Sequence, residues 1–146
     1  MRISGTISTV LNQKGRDVFS IPPEMTVFEA IQLMADKNVG ALLVMSGDEL
    51  LGVVSERDYT RKVALKGRSS RETTVREIIS HPIISATQDH SVEECMRLMT
   101  HHRIRHLPVL DGNTISGVVS IGDLVNWTIS AQDAALEQME SYITGR

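Results

Sequence analysis

The sequence predicts an α+β fold: two tandem βαββα units packed with pseudo-twofold symmetry, followed by an amphipathic C-terminal helix. Three observations carry that expectation. The chain of 146 residues repeats itself, so that Val18–Thr60 falls on Ile83–Val125 without a gap and 13 of those positions are identical. Within each copy the apolar spacing alternates between strand and helix periods. Neither copy alone could bury enough surface to be stable, so two related units must share the work of making a core.

In chain order, Thr9-Val10 already matches Thr74-Val75 of the second copy. Val18–Ile21 is a short apolar run stopped by Pro22-Pro23, a turn signal. Thr26-x-x-Glu29 has capping-box spacing, with Val27, Ala30, Ile31 and Met34 on one helical face behind it. The second copy repeats the box as Ser91-x-x-Glu94 and the face as Val92, Cys95, Met96 and Met99. Ala41–Met45 and Leu50–Val54, joined at Ser46-Gly47-Asp48, read as a hairpin. So do Leu107–Leu110 and Ile115–Val119, joined at Asp111-Gly112-Asn113. A further helix starts near Ser55 and again near Ser120. The expected organisation is repeat 1 at 8–66, a linker at 67–73, repeat 2 at 74–129 and a C-terminal helix at 130–146. Leu136, Met139 and Ile143 give that last helix an apolar stripe, placed on the module or on a second copy of it.

Composition closes off several classes of function. With 41% apolar residues the chain has material for a core, but only Phe19, Phe28, Tyr59, Trp127 and Tyr142 are aromatic, so that core is aliphatic. Scarce aromatics and a net charge of −3 argue against a nucleic-acid partner. The single cysteine, Cys95, excludes an internal disulfide and a four-cysteine zinc site. No apolar run approaches the roughly 20 residues of a membrane span, and the N-terminal segment is too polar for a signal peptide. The expectation is a cytoplasmic protein with no membrane or nucleic-acid partner.

The longest identical run is Gly52-Val53-Val54-Ser55 over Gly117-Val118-Val119-Ser120, with Asp58 on Asp123 three residues later. A strand ending Gly-Val-Val-Ser-x-x-Asp, twice, follows Val39-Gly40-Ala41-Leu42-Leu43-Val44 in one copy and Ile104-Arg105-His106-Leu107-Pro108-Val109 in the other. This pattern resembles the paired CBS domains named after cystathionine β-synthase, over roughly residues 3 to 129. The resemblance implies tandem CBS repeats, a module that binds adenosine-containing ligands in clefts between the repeats, regulates another protein in signal transduction and pairs into homodimers. With no attached domain, its effector would be a separate protein.

Taken alone, Ser55-x-x-Asp58 and Ser120-x-x-Asp123 read as helix caps: serine is a good N-cap, and an acid in the first turn suits the helix dipole. A short carboxylate there can also accept hydrogen bonds from both ribose hydroxyls, and the two readings are compatible. Carried over from the resemblance, site A comprises Ser55, Arg57 and Asp58 with Ile83, Ile84, Ile104, Arg105, His106 and Pro108. Site B comprises Ser120, Gly122 and Asp123 with Val18, Phe19, Val39, Gly40, Ala41 and Leu43. Aliphatic members would sandwich the adenine. Arg57 and Arg105 give site A guanidinium groups for phosphate, which favours AMP, ATP or NAD over S-adenosylmethionine. Site B has Gly122 and Gly40 at the matching positions and would draw phosphate contacts from Lys14 or Arg16.

The expected function is therefore a non-enzymatic adenine-nucleotide sensor with no catalytic cofactor. The alternatives are a nucleotide-acting enzyme, for which the sequence offers only His106 without a partner, and a nucleic-acid binder using the Arg103-Arg105-His106 patch. His101, His102 and His106 straddle a helix end and a strand, so no metal site is expected of them. Cys95 stands where the first copy has Ala30, the place of a small core residue. The helix face holding Val63 and Leu65 is the expected apolar surface for dimerisation.

Overall fold

A computed structural model describes residues 5–80 and 82–144. Its elements are α1 (Ile7–Lys14), β1 (Ser20–Ile21), α2 (Val27–Lys37), β2 (Ala41–Ser46), β3 (Glu49–Ser55), α3 (Glu56–Tyr59), α4 (Val92–His102), β4 (His106–Asp111), β5 (Thr114–Ser120) and α5 (Ile121–Thr144). A π-helical turn, Thr60–Ala64, follows α3, and a 3-10 turn spans Val75–Glu77. The mixture of helices and small sheets is the α+β class expected, in two tandem repeats. The chain forms two compact units, one from residues 17–84 and one from 5–16 with 85–144.

In the unit of residues 17–84 the strand order is β1-β2-β3, with β1 parallel and β3 antiparallel to β2. The Thr26 hydroxyl accepts the Glu29 amide at 3.2 Å and starts α2, and Asn38 in the left-handed conformation ends it. Val27, Ala30 and Met34 face the sheet residues Leu42, Val44 and Val54 in one buried cluster with Val63, Val75 and Ile78. Burial at this scale is worth roughly 1.5–3 kcal/mol for each large side chain. Residues 67–73 lie against this unit: the Ser70 carbonyl accepts the Phe28 amide, the Thr73 carbonyl accepts the Val27 amide, and the Arg71 guanidinium stacks 3.8 Å from the Phe28 ring.

The other unit repeats the plan. Ser91 and Glu94 form a reciprocal capping box, α4 buries Val92, Cys95 and Met99, and Arg103 ends it where Asn38 ends α2. The hairpins β2–β3 and β4–β5 share register and even the bulge, at Val44/Met45 and Val109/Leu110. Their turns place Gly47 and Gly112 at φ 60° and 62°, a region glycine occupies without strain.

One strand differs. The counterpart of β1 is only an isolated parallel bridge, Ala86 to Val109. The cause is Pro108. In the first unit the Leu43 amide donates to the Phe19 carbonyl at 3.0 Å. Pro108 stands at the position of Leu43 and has no N–H, so that rung is lost and the strand contracts.

Two further expectations are corrected. The helix expected separately at 130–146 is the continuation of the motif helix: α5 runs unbroken from Ile121 to Thr144, its expected last two residues lying outside the described ones. No glycine, proline or cap interrupts 124–144, and a helix without a stop signal continues. The Val63–Leu65 face is not an apolar surface, because Val63 is buried at 1% exposure while Leu65 is exposed. At about 100° per residue, positions two apart point to opposite sides of a helix, so the two never share a face.

α1 packs on β5 and α5 of its unit. Leu11 is fully buried, its Cδ2 only 2.8 Å from where a β-carbon on Gly117 would lie. In the other unit Ile79 stands in the same relation to Gly52, at 3.1 Å. A glycine at this strand position lets the incoming segment lie directly on the sheet.

Candidate functional site

Each unit brings a serine, an aspartate and a lysine together at the end of its last strand. Ser55 closes β3, its hydroxyl accepts the Asp58 amide at 3.2 Å, and Asp58 Oδ2 accepts the Ser55 amide at 2.9 Å. Ser120 and Asp123 repeat these bonds at 3.1 and 2.8 Å. The cap read from the sequence is thus present twice. It uses Oδ2 of each carboxylate, and both aspartates are partly exposed.

The lysines arrive from different directions. Lys62, one turn beyond Asp58, lies 3.3 Å from its Oδ1 and donates to the Ile78 carbonyl and the Ser80 hydroxyl at 2.7 Å each. Trp127 takes its place in the repeat. There Lys14 of α1 crosses to Asp123 Oδ2 at 2.6 Å and to the Val118 carbonyl at 2.8 Å. The repeat position of Lys14 is Ile79, an apolar residue. Each aspartate therefore has one ammonium beside it, supplied at a position where the other repeat has none. For Asp123, burial pushes the carboxyl up, but the Lys14 hydrogen bond, the Ser120 amide and the Lys14 charge outweigh it and hold the carboxyl below its ordinary range.

The remaining site residues fall into the two units as follows. With Asp58 lie Val18 and Phe19 before β1, Val39, Gly40 and Ala41 at the start of β2, Leu43 within it, and Ile83 and Ile84 at the end of the unit. Ala41 is paired with Ser55, and the Gly40 carbonyl accepts the Glu56 amide at 3.0 Å. With Asp123 lie Gly122, Ile104, Arg105, His106 and Pro108. His106 is paired with Ser120, and the Arg105 carbonyl accepts the Ile121 amide at 2.8 Å. Arg105 is exposed, Arg57 and His106 are half-buried, and Leu43 and Pro108 are buried in their sheets. Within a unit, then, the aspartate assigned to one site shares a sheet end with strand residues assigned to the other.

Sequence reasoning did not connect Lys62 or Lys14 with a particular carboxylate. Lys62 stood at i+4 from Asp58, a spacing that signals a pair on a helix. Nothing local signalled the bond from Lys14 to Asp123. Beside that pair a cleft of about 210 Å³ is lined by Val10, Gln13, Lys14, Asp123, Asn126, Trp127 and Ser130. Cys95 is buried and its thiol is pushed up to about 11, mainly by burial. Among the described residues no group of three or more His, Cys, Asp or Glu is placed to hold a metal ion, and no helix is long and apolar enough to cross a membrane.

The CBS-domain profile matches residues 14–65 and 75–130. A mitochondrial CBS domain-containing protein of Arabidopsis thaliana, CBSX3, is 38% identical over 97% of this chain and 73% of its own length. The structure of a protein with CBS domains from Burkholderia ambifaria is 47% identical, with TM-score 0.83, covering 86% of this chain and 95% of that one. The same fold, at 19% identity and TM-score 0.74, occurs in the CBS domain pair of MJ0100, solved with 5′-methylthioadenosine and S-adenosyl-L-methionine; it covers 86% of this chain and 96% of that one.

Proposed function

Because this chain belongs to the CBS-domain family, a pair of CBS repeats, we propose that it is a non-enzymatic sensor that binds adenosine-containing nucleotides and passes their occupancy to a separate effector protein. The observation that carries this reading is the repeated Ser-x-x-Asp box with an ammonium beside its carboxylate. A ribose presents two vicinal hydroxyls, which a carboxylate can accept together. A nucleotide also presents phosphate, which a lysine released from the carboxylate can meet. The adenosine ligands of MJ0100 support the ligand class.

The lysines refine the expected asymmetry. Arg57 and Arg105 still favour phosphate at site A, and Lys14 supplies a cation at Asp123 for site B. AMP, ATP or NAD is therefore the expected ligand at both, ahead of S-adenosylmethionine. Adenine recognition is where the sites differ. Pro108 removes the amide that in the first repeat engages the Phe19 carbonyl, so the matching Ile84 carbonyl is the one offered to an adenine amino group in site A. Assembly as a homodimer belongs to the same reading.

Titration calorimetry with AMP, ATP, NAD, adenosine and S-adenosylmethionine tests it, on the wild type and on Asp58→Ala, Asp123→Ala and Arg105→Ala. Each Asp→Ala change should cost one to two decades of affinity at one site, since hydrogen bonds to a charged acceptor are worth roughly 1.5–3 kcal/mol. Arg105→Ala should weaken AMP and leave adenosine nearly unchanged. AMP binding to all three variants as to wild type would remove both site assignments. Ligand recovered chemically altered, with the change dependent on His106, would replace the sensor by an enzyme.

A further inference from the structure

Residues 57–76 hold seven of the chain's fifteen lysines and arginines and only two of its eighteen acids, Asp58 and Glu72. The rest of the chain carries twice as many acids as cations. The fold does not require this concentration. At the matching places of the second repeat Arg57, Arg61, Lys62 and Lys66 are Gly122, Asn126, Trp127 and Ala131, and the helix there starts without them. Arg57 and Lys62 belong with the Asp58 box, whereas Arg61, Lys66, Arg68, Arg71 and Arg76 are exposed. The chain folds tightly beneath these five: the Leu65 amide donates to the Thr60 carbonyl, the Arg68 amide to the Val63 carbonyl, and the Phe28 amide to the Ser70 carbonyl. Between Arg61 and Lys66, Leu65 is 75% exposed.

We propose that this strip is the docking surface for the effector, and that it takes an acidic segment of a separate protein, a run of carboxylates carrying an apolar side chain. Two of its guanidinium groups already hold groups of that kind, Arg68 on Glu77 at 2.6 Å and Arg76 on Glu24 at 2.9 Å. Arg61 and Lys66 make no ion pair among the described residues, which leaves them to carboxylates from outside. Leu65 adds an apolar contact that a sugar-phosphate chain would not use. The strip also lacks the open aromatic rings on which single-stranded nucleic acid stacks, since Phe28 lies under the Arg71 guanidinium and Tyr59 is half-buried. Because the rest of the chain is acidic, attraction for an acidic segment is confined to the strip, within the roughly 8 Å over which charges remain visible at physiological salt. Lys62, beside Asp58, is the chain neighbour of Arg61, so nucleotide and partner meet at one turn. This names the chemistry of the effector in the sensor reading and rests on that reading for the partner's role alone.

Fluorescence anisotropy of a labelled peptide of repeated Glu-Glu-Leu-Glu, with the full chain and no nucleotide, tests the surface, so it can fail while the nucleotide reading stands. The peptide should bind at low salt and weaken as salt rises. Arg61→Glu and Lys66→Glu should each weaken it about tenfold, because each replaces an attraction by a repulsion. Leu65→Ser should weaken it less, and equally at every salt concentration. Arg97→Glu makes the same change of net charge on exposed α4 and should leave binding unchanged. All four positions are exposed, so melting should hold in every variant. No binding at low salt would overturn the proposal. So would equal losses in Arg61→Glu and Arg97→Glu, or equal binding of the peptide with glutamine in place of glutamate. A single-stranded oligonucleotide of matched charge that binds more tightly than the peptide would replace the protein partner by a nucleic acid. Sedimentation in which Arg61→Glu halves the mass would assign the strip to a second copy instead.

Discussion

Lys14→Met removes the ammonium that joins α1 to the start of α5 while keeping the apolar stem. Two bonds are lost, to Asp123 Oδ2 at 2.6 Å and to the Val118 carbonyl at 2.8 Å. Buried, they would be worth several kcal/mol, but the two side chains are 35% and 22% exposed and solvent screens them. The expected loss is about 1 kcal/mol at neutral pH. For a chain of this size that lowers Tm by about 3 °C. The pH dependence identifies the source. Asp123 is held below its ordinary value of 3.8, so its contribution is complete above that value and is lost as pH falls through the lowered one. The gap between wild type and variant should therefore hold from pH 7 down to about 4 and narrow in stronger acid. Thermal melts across that range measure it, and a gap that stays constant into acid would show that Lys14 acts through packing. The same variant separates ligands. Freed of its lysine, Asp123 should bind adenosine at least as well as before, while AMP weakens roughly tenfold, one charge-assisted contact at about 1.4 kcal/mol. Equal losses for both ligands would refute the phosphate role.

Three further outcomes follow from single positions. Pro108→Ala gives β4 the amide that Leu43 has in β2, so adenine nucleotides should bind more weakly by calorimetry while the melting temperature holds or rises. Gly117→Ala puts a methyl group 2.8 Å from Leu11 Cδ2 and should cost about 1–3 kcal/mol in urea titrations, part of which Leu11→Ala in the same chain restores. Cys95 is fully buried with its thiol raised to about 11, so a thiol reagent at pH 8 should modify it only as fast as the chain unfolds; rapid labelling of the folded protein would contradict its burial.

The sequence by itself determined everything that local rules control. The capping boxes at Thr26 and Ser91, the helical faces behind them and the hairpins at Gly47 and Gly112 depend on residues a few positions apart, and each was legible. The duplication then fixed the pairing of Asp58 with Asp123 as equivalent residues. What the tertiary structure alone decided lies at long sequence separation. Lys14 reaches Asp123 across 109 positions, and no spacing rule connects them, because it is packing, such as that of Leu11 beneath Gly117 and of Trp127 on Gly5, that sets α1 beside α5. The contraction of the second parallel strand was implicit in Pro108 and emerged only once Leu43 was seen donating to Phe19. Val63 and Leu65 are a different case: positions two apart already lie on opposite helix faces, so the buried one and the exposed one were separable by local rules. Local chemistry chooses elements, but contacts closed through space decide which charges meet and which apolar faces remain for a partner.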